Sequence, residues 1–364
     1  MKIMTVVGTR PELIRLSRII PLLDKYCEHT LVHTGQNYDE NLKDVFFEQL
    51  NIRQPDYQED CAGSTPFETI GKILKRTEYI LNREATKFDR FLVLGDTNSA
   101  LSAIVAKRYG VPVFHMEAGN RCYDNEVPEE LNRRIIDHSS DLWMPYTERS
   151  RQNLLREGIP GNKIYVTGNP ILEVIQHNYE IIRQSNVLEY LNITPQKYFV
   201  VTLHRAENVD NPVRLASRFG ALIELALRYP DHQIVVSMHP HTKAKLEEHI
   251  TKRMEKIGNF IIRDPFNFAD FLYLEQNARC VITDSGTVQE ECCILGIPNV
   301  TLRNTTERPE TIECGSNIIC GRAWQDLIRA VRVATEEDVV WAAPPEYLTN
   351  NVSKTVLKIM IGKL

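Results

Sequence analysis

Three acidic residues stand where this chain changes from strand to helix. Asp96 lies in Gly95-Asp96-Thr97 after the apolar run Arg90 to Leu94, Glu117 lies in Glu117-Ala118-Gly119 after Pro112 to Met116, and Glu130 opens the helix that starts Pro128-Glu129-Glu130. All three therefore leave the same edge of one sheet. Carboxylates gathered at one edge cannot all ionise freely, so at least one should keep its proton to higher pH, which provides an acid and a base near neutrality. Singly, each has an ordinary explanation: Asp96 as a helix cap before Thr97 to Ala106, Glu130 as a first-turn charge favoured by the helix dipole. The shared edge is what favours chemistry. His204, at the exit of the run Tyr198 to Leu203, stands at a strand end rather than on an apolar face, and suits a phosphate contact or proton transfer.

Two further turns are suited to an anion. In Asp284-Ser285-Gly286-Thr287-Val288-Gln289-Glu290-Glu291, the run Cys280 to Thr283 reads as a buried strand and Val288 to Leu295 as a helix, so backbone N–H groups at Ser285 and Gly286 point out of the strand's carboxyl end. That is where an open α/β sheet binds a phosphorylated ligand. Glu290 and Glu291, one turn on, would repel a phosphate but suit a ribose diol. The plainer alternative is that Asp284 or Ser285 only caps the helix. At the other end, strand Lys2 to Val7 turns through Gly8-Thr9-Arg10-Pro11 into a helix carrying Leu13, Ile14, Leu16, Ile19, Ile20 and Leu23 on its apolar side. The Arg10 guanidinium can fork onto a phosphate or carboxylate, and Arg15 adds a second charge one turn on, although most arginines are simply solvated. Neither turn carries the glycine patterns of NAD-type or ATP-type loops.

The elements that must position these groups alternate. Strands are expected at Thr30 to Thr34, Arg90 to Leu94, Pro112 to Met116, Leu142 to Pro145 and Ile164 to Thr167, with helices at Ser99 to Tyr109, Pro128 to Ser139 and Glu148 to Glu157. The pattern restarts at Tyr198 to Leu203 and runs through Ile234 to Met238, Phe260 to Ile262, Val281 to Thr283 and Asn299 to Leu302. The expected fold class is α/β: two Rossmann-like doubly wound domains facing each other across a cleft. Residues 1–168 form the first, joined by an amphipathic helix within 350–364, and residues 169–349 form the second.

Composition narrows the partners. The chain has 364 residues, 43% hydrophobic and 25% charged, with a net charge of −5 and no dense basic run, which argues against nucleic acid. No apolar stretch approaches membrane-spanning length and the N-terminus enters a strand directly, so a cytoplasmic protein with no membrane partner is expected. Eight cysteines show no Cys-x-x-Cys spacing and read as reduced thiols. His239 and His241 lack further ligands at a recognisable spacing, so no metal is expected.

Taken together, Gly8-Thr9-Arg10-Pro11-Glu12, Gly35-Gln36, Gly95-Asp96-Thr97, Glu117-Ala118-Gly119, Pro128-Glu129-Glu130 with Asn132-Arg133, His204-Arg205 with Glu207-Asn208, Asp284-Ser285-Gly286 with Gln289-Glu290-Glu291, and Thr306-Glu307-Arg308-Pro309-Glu310 resemble the non-hydrolysing UDP-N-acetylglucosamine 2-epimerase family. These motifs run in order along nearly the whole chain. The resemblance implies a glycosyltransferase B-like fold, a homodimer, and inversion of C2 in a UDP-2-acetamido sugar by eliminating UDP and adding it back. It implies Asp96, Glu117 and Glu130 as catalytic carboxylates, His204, Arg10, Ser285 and Gly286 at the diphosphate, Glu291 at the ribose, His239 on the nucleotide side and Phe271 near uracil. No cofactor is needed, because elimination and re-addition balance internally.

Departures from the family pattern bear on the sugar and on regulation. Arg15 replaces a common lysine and Thr287 a common glycine, while Asn120-Arg121-Cys122 looks like the branch that acts on 6-deoxy sugars. UDP-N-acetylglucosamine is the first expectation and conversion of a 6-deoxy L-talo to an L-fuco sugar the second. Asn37-Tyr38 stand where effector-regulated members have a histidine, so a second nucleotide-sugar site is expected to be weak or absent. A B-type glycosyltransferase would not need three acids on one edge, and a silent nucleotide-sugar sensor would not keep them.

Overall fold

The computed structural model describes residues 1–36, 47, 49–321, 323–337 and 340–363. Asn37 and Tyr38 lie outside them. The described residues divide into one unit of Met1–Gln176 with Pro345–Leu364 and another of His177–Pro344.

The first unit is built on a six-stranded parallel sheet: β1 (Lys2–Val7), β2 (Glu28–His33), β3 (Tyr57–Gln58), β4 (Arg90–Leu94), β5 (Val113–Met116) and β6 (Leu142–Met144), in the order β3-β2-β1-β4-β5-β6. The second repeats the plan with β7 (Tyr198–Thr202), β8 (Gln233–Ser237), β9 (Phe260–Arg263), β10 (Cys280–Thr283), β11 (Asn299–Thr301) and β12 (Asn317–Ile319), in the order β12-β11-β10-β7-β8-β9. These are two doubly wound Rossmann-like units, the fold class that the alternation predicts. Central strands are apolar on both faces because helices cover both: Phe199 and Val201 of β7 join one buried cluster, Tyr198 and Val200 the other.

In such a sheet the strand order reverses at one place, and the two loops there splay apart to leave a crevice. Here the reversals fall between β1 and β4 and between β7 and β10. The turns that leave those strands are the ones at Gly8 to Arg10, Gly95-Asp96, His204-Arg205 and Asp284 to Gly286.

Several expectations need correction. The helix expected from Pro11 through Leu23 is two helices, Arg10–Leu16 and Ile20–Tyr26. Ser17 caps the first, its hydroxyl donating to the Ile14 carbonyl at 2.7 Å, and Pro21, lacking an N–H, sits in the first turn of the second. Ile164 to Thr167 is an extended segment rather than a strand. It bonds β6 through Tyr165 N–H to Trp143 and Thr167 N–H to Pro145, but β6 is only three residues long and offers too short a ladder. The segment expected as one helix from Ser99 begins as a tight turn at Asn98–Ser102 and becomes α-helical only over Ala103–Arg108. The short edge strands β3 and β12 carry too few residues for a period to show.

After Pro345 the chain returns to the first unit. The Val352–Ile361 helix is tied there by the Ser353 N–H, which donates to Glu173 at 2.9 Å, and by Arg90, whose guanidinium donates to the Gly362 carbonyl at 2.8 Å. All eight cysteines are free thiols, and among the described residues no helix is long and apolar enough to cross a membrane.

Candidate active site

At the first reversal, the structure brings Asp96, Glu117 and Glu130 to the same sheet edge, but it interleaves them with arginines. Arg133, on the Pro128–Ser139 helix, bonds Asp96 Oδ2 through Nε at 2.8 Å and bonds Glu130 Oε2 through Nη1 at 2.9 Å. Its Nη2 lies 2.7 Å from the same Asp96 oxygen. Arg15 donates to Glu117 Oε2, and the Asn120 amide donates to Glu117 Oε1 at 3.3 Å. The expected mutual repulsion is thus relieved by cations between the acids.

Glu130 shows the consequence. Burial alone would raise its pKa, but the Cys122 N–H at 3.0 Å and Arg133 outweigh it and hold the carboxyl below the usual glutamate range. Its other oxygen accepts from the Tyr123 N–H at 3.2 Å and from Arg134 at 3.1 Å. Glu130 is therefore a saturated anion. Asp96 is the most accessible of the three, its side chain 19% exposed against 5% for Glu117 and 1% for Glu130. Glu117 has φ of +63°, a left-handed backbone that a non-glycine residue adopts at a cost of about 1–3 kcal/mol.

A carboxyl that does rise beside this edge is Glu12, which the sequence reading placed in a motif without a role. Burial pushes its pKa up to about 7 against hydrogen bonds from Thr9, Gly8 and Thr97. One oxygen accepts from the Gly8 N–H at 3.0 Å and the Thr9 hydroxyl at 2.8 Å, the other from the Thr97 hydroxyl at 3.0 Å, so Glu12 ties the turn after β1 to the turn after β4. The sequence signal was available: Thr9-Arg10-Pro11-Glu12 fits the Thr-x-x-Glu capping box. Arg10 opens the helix beside this tie, half-buried. Arg15, expected to add a second positive charge for the substrate, is buried against Glu117 with its guanidinium 5.8 Å from the centre of the Tyr146 ring.

At the second reversal, Ser285 is the N-cap of the Gly286–Leu295 helix, yet its hydroxyl makes no capping bond. Asp284 does not cap either. Fully buried, it accepts the backbone N–H groups of His204 (3.1 Å) and Arg205 (3.0 Å) and the Asn208 amide (3.0 Å), which pins the β7 exit to the β10 exit. Neither side chain therefore caps the helix, although the Ser285 N–H donates to the Thr283 hydroxyl at 3.0 Å, so an anion at this helix start would be met from Gly286 onward. Gly286 leaves room for Glu307, since a Cβ there would lie 2.6 Å from Glu307 Oε1 and would push that side chain aside. That glutamate joins Arg303 (2.7 Å) and Arg205 (3.4 Å), Arg303 also meets Glu207 at 3.3 Å, and Arg308 pairs with Glu290. Sequence reasoning quoted Arg205, Glu207, Glu307 and Arg308 only as motif letters and did not single out Arg303, since side-chain partners across loops leave no periodic signal.

The remaining candidates sit around this edge. The His204 Nδ1 is 3.3 Å from Asp284, and its ring centroid is 5.9 Å from that of His239, whose own Nδ1 accepts the His241 N–H at 3.2 Å. His241 pairs with Asp210 at 2.7 Å, and among the described residues no group of three or more His, Cys, Asp or Glu is arranged to hold a metal. Glu291 is buried beside Glu275, whose carboxyl is raised well above its ordinary value by burial and by Glu291. Phe271, on the Phe268–Asn277 helix, packs half-buried against the cluster that contains Val281 and Val288.

A family profile described as UDP-N-acetylglucosamine 2-epimerase matches residues 23–361. The UDP-N-acetylglucosamine 2-epimerase of Methanocaldococcus jannaschii is 42% identical over 350 residues, which cover 94% of this chain and 95% of that protein. The UDP-2,3-diacetamido-2,3-dideoxy-D-glucuronate 2-epimerase of Pseudomonas aeruginosa is 34% identical over 337 residues, 92% of each. A crystal structure of the M. jannaschii UDP-GlcNAc 2-epimerase in complex with UDP-GlcNAc and UDP superposes with a TM-score of 0.93 at 40% identity, covering 99% of both chains. With two sheet reversals carrying acids and anion donors in the same order as the motifs, and with these likenesses along its length, the chain belongs to the UDP-N-acetylglucosamine 2-epimerase family.

Proposed function

We propose that the chain converts UDP-N-acetylglucosamine to UDP-N-acetylmannosamine by eliminating UDP across C1 and C2 and adding it back. A base takes the C2 proton while the C1–O bond breaks and the electron pair leaves with UDP; the resulting 2-acetamidoglycal takes a proton on the opposite face as UDP oxygen returns to C1. The observation that carries this reading is the division of labour between the two reversals: acids set among guanidinium groups at one, a helix start that neither Asp284 nor Ser285 caps at the other. Asp96 and Glu117 are the proton carriers in this account. Glu130, saturated as an anion, acts by holding Arg133 against Asp96. Ser285, Gly286, His204 and Arg10 receive the diphosphate, Glu291 the ribose and His239 and Phe271 the base end.

A second sugar is favoured by one contact. Asn120, where the sequence departs from the common family pattern, bonds Glu117 directly and accepts from Ser150 at 2.8 Å, so the departure touches a proton carrier. This supports a 6-deoxy-L-talo to L-fuco conversion as the alternative substrate. We read the protein as a cytoplasmic homodimer supplying cell-surface polysaccharide precursors; sedimentation of the pure protein would check the dimer. NMR of UDP-N-acetylglucosamine and of the 6-deoxy sugar in D₂O, with no acceptor, tests the reaction. Deuterium at C2 with the 2-epimer accumulating is expected; transfer only upon addition of an acceptor would instead indicate a glycosyltransferase.

A further inference from the structure

Besides Glu130, the Pro128–Ser139 helix supplies a fully buried carboxylate, Asp137. Its Oδ1 lies 2.8 Å from Nδ1 of His115, and its Oδ2 accepts from the Gly119 N–H at 3.1 Å and lies 2.8 Å from Nη2 of Arg121. The second ring nitrogen of His115 lies 2.8 Å from the carbonyl of Gly95, the residue before Asp96. Gly119 is two residues past Glu117. One carboxylate thus reaches the backbone of the Glu117 loop directly and that of the Asp96 loop through one imidazole.

The chemistry of that imidazole is constrained. A backbone carbonyl and an ionised carboxylate only accept, so with both ring nitrogens facing such oxygens each must carry a hydrogen. Asp137 is kept ionised because His115 and Arg121 outweigh its burial. The Arg121 charge is itself shared with Glu157, at 2.8 and 2.5 Å. The loops so held are ones that need support: Gly95 and Gly119 have φ of +74° and +78°, Glu117 is left-handed between them, and Gly119 passes so close to Ser150 that a Cβ would be 2.2 Å from its carbonyl oxygen.

We propose that Asp137 is a positioning residue which, through His115 and the Gly119 N–H, fixes the separation and aim of Asp96 and Glu117. The proposal rests on the reading of those two acids as proton carriers. Asp137 touches no reacting atom in this account, and its effect is on geometry alone. A displacement on the order of 1 Å at a reacting group is enough to cost about 10²-fold in rate.

The test uses the full chain, with Asp137→Asn and His115→Gln measured against wild type on UDP-N-acetylglucosamine. In folded variants kcat should fall by roughly 10²-fold while KM and calorimetric UDP affinity stay within about threefold, because the second unit is untouched. In ¹⁵N-histidine NMR of the wild type, both His115 nitrogens should be protonated, and in Asp137→Asn one proton should be lost. A folded Asp137→Asn with wild-type kcat, or kcat and UDP affinity falling together as in general loosening, would overturn the proposal. Should both variants fail to fold, the wild-type spectrum decides, since a singly protonated His115 ring breaks the chain of bonds. Failure of the epimerase reading shows differently, as a wild type that turns over no UDP-sugar.

Discussion

The two units share a strand order and each has an aspartate at the outer strand of its reversal, yet the two aspartates do opposite things. Asp284, after β10, is fully buried and spends its oxygens on the backbone N–H groups of the neighbouring exit loop. Asp96, after β4, stays 19% exposed and faces a guanidinium. Topology decides where a ligand edge lies. What decides whether a carboxylate there does chemistry is its surroundings: buried against a rigid pair of backbone N–H groups it is a strut, whereas part-exposed beside an arginine it stays within reach of a substrate.

The contrast breaks most sharply at the acids. Asp96→Asn and Glu117→Gln should each lower turnover by roughly 10² or more while UDP affinity holds, as removal of a general acid or base does. Steady-state rates beside calorimetry check this, and UDP affinity lost along with turnover would mean that Asp96 is a strut after all.

Next in size is a pH effect confined to the first unit. Glu12 is raised from 4.5 to about 7 on folding, so the folded chain binds this proton more tightly than the unfolded chain does. Its contribution is fully present below the ordinary glutamate value and is lost as pH rises through about 7, at most about 3 kcal/mol at 1.36 kcal/mol per unit. Thermal melts from acid to alkaline pH should show that decline in the wild type and a flatter profile in Glu12→Gln; equal slopes would remove Glu12 from the account.

A smaller effect is expected from Asp284→Asn, which strands one or more buried N–H groups. It should cost about 1–3 kcal/mol of second-unit stability and weaken UDP binding. The first-unit acids should still exchange a C2 proton once UDP-sugar is saturating. Smallest of all is Arg134→Gln, since that guanidinium is 42% exposed where it meets Glu130, and an exposed pair contributes about 1 kcal/mol or less. A large loss of turnover in Arg134→Gln would show that Glu130 is less securely held by Arg133 and Cys122 than the geometry indicates.

Much of this was legible before the coordinates. The runs Lys2 to Val7, Arg90 to Leu94 and Cys280 to Thr283 match strands residue for residue, because parallel strands buried on both faces leave near-continuous apolar runs. From those runs, with Pro112 to Met116 and Tyr198 to Leu203, the exit residues Arg10, Asp96, Glu117, His204 and Ser285 followed by counting. What was not legible were pairings set by helix rotation. That Arg133 reaches both Asp96 and Glu130 depends on how the Pro128–Ser139 helix turns toward β4, and no spacing in the sequence reports it. Nor could sequence tell Asp284 as a cap from Asp284 as a strut, since both place an aspartate before a helix.

The return of Pro345–Leu364 to the first unit has a consequence for how the molecule is made. The second unit is an insertion, so during synthesis the unit begun first is finished last: β1 to β6 can pair early, but the Glu173 and Arg90 anchors wait for Ser353 and Gly362. Domains ordinarily fold in the order they emerge. Here a released fragment that ends just short of residue 345 should present a protease-resistant second unit and a first unit still open to cleavage, with the order reversed only if β1 to β6 hold without their last helix.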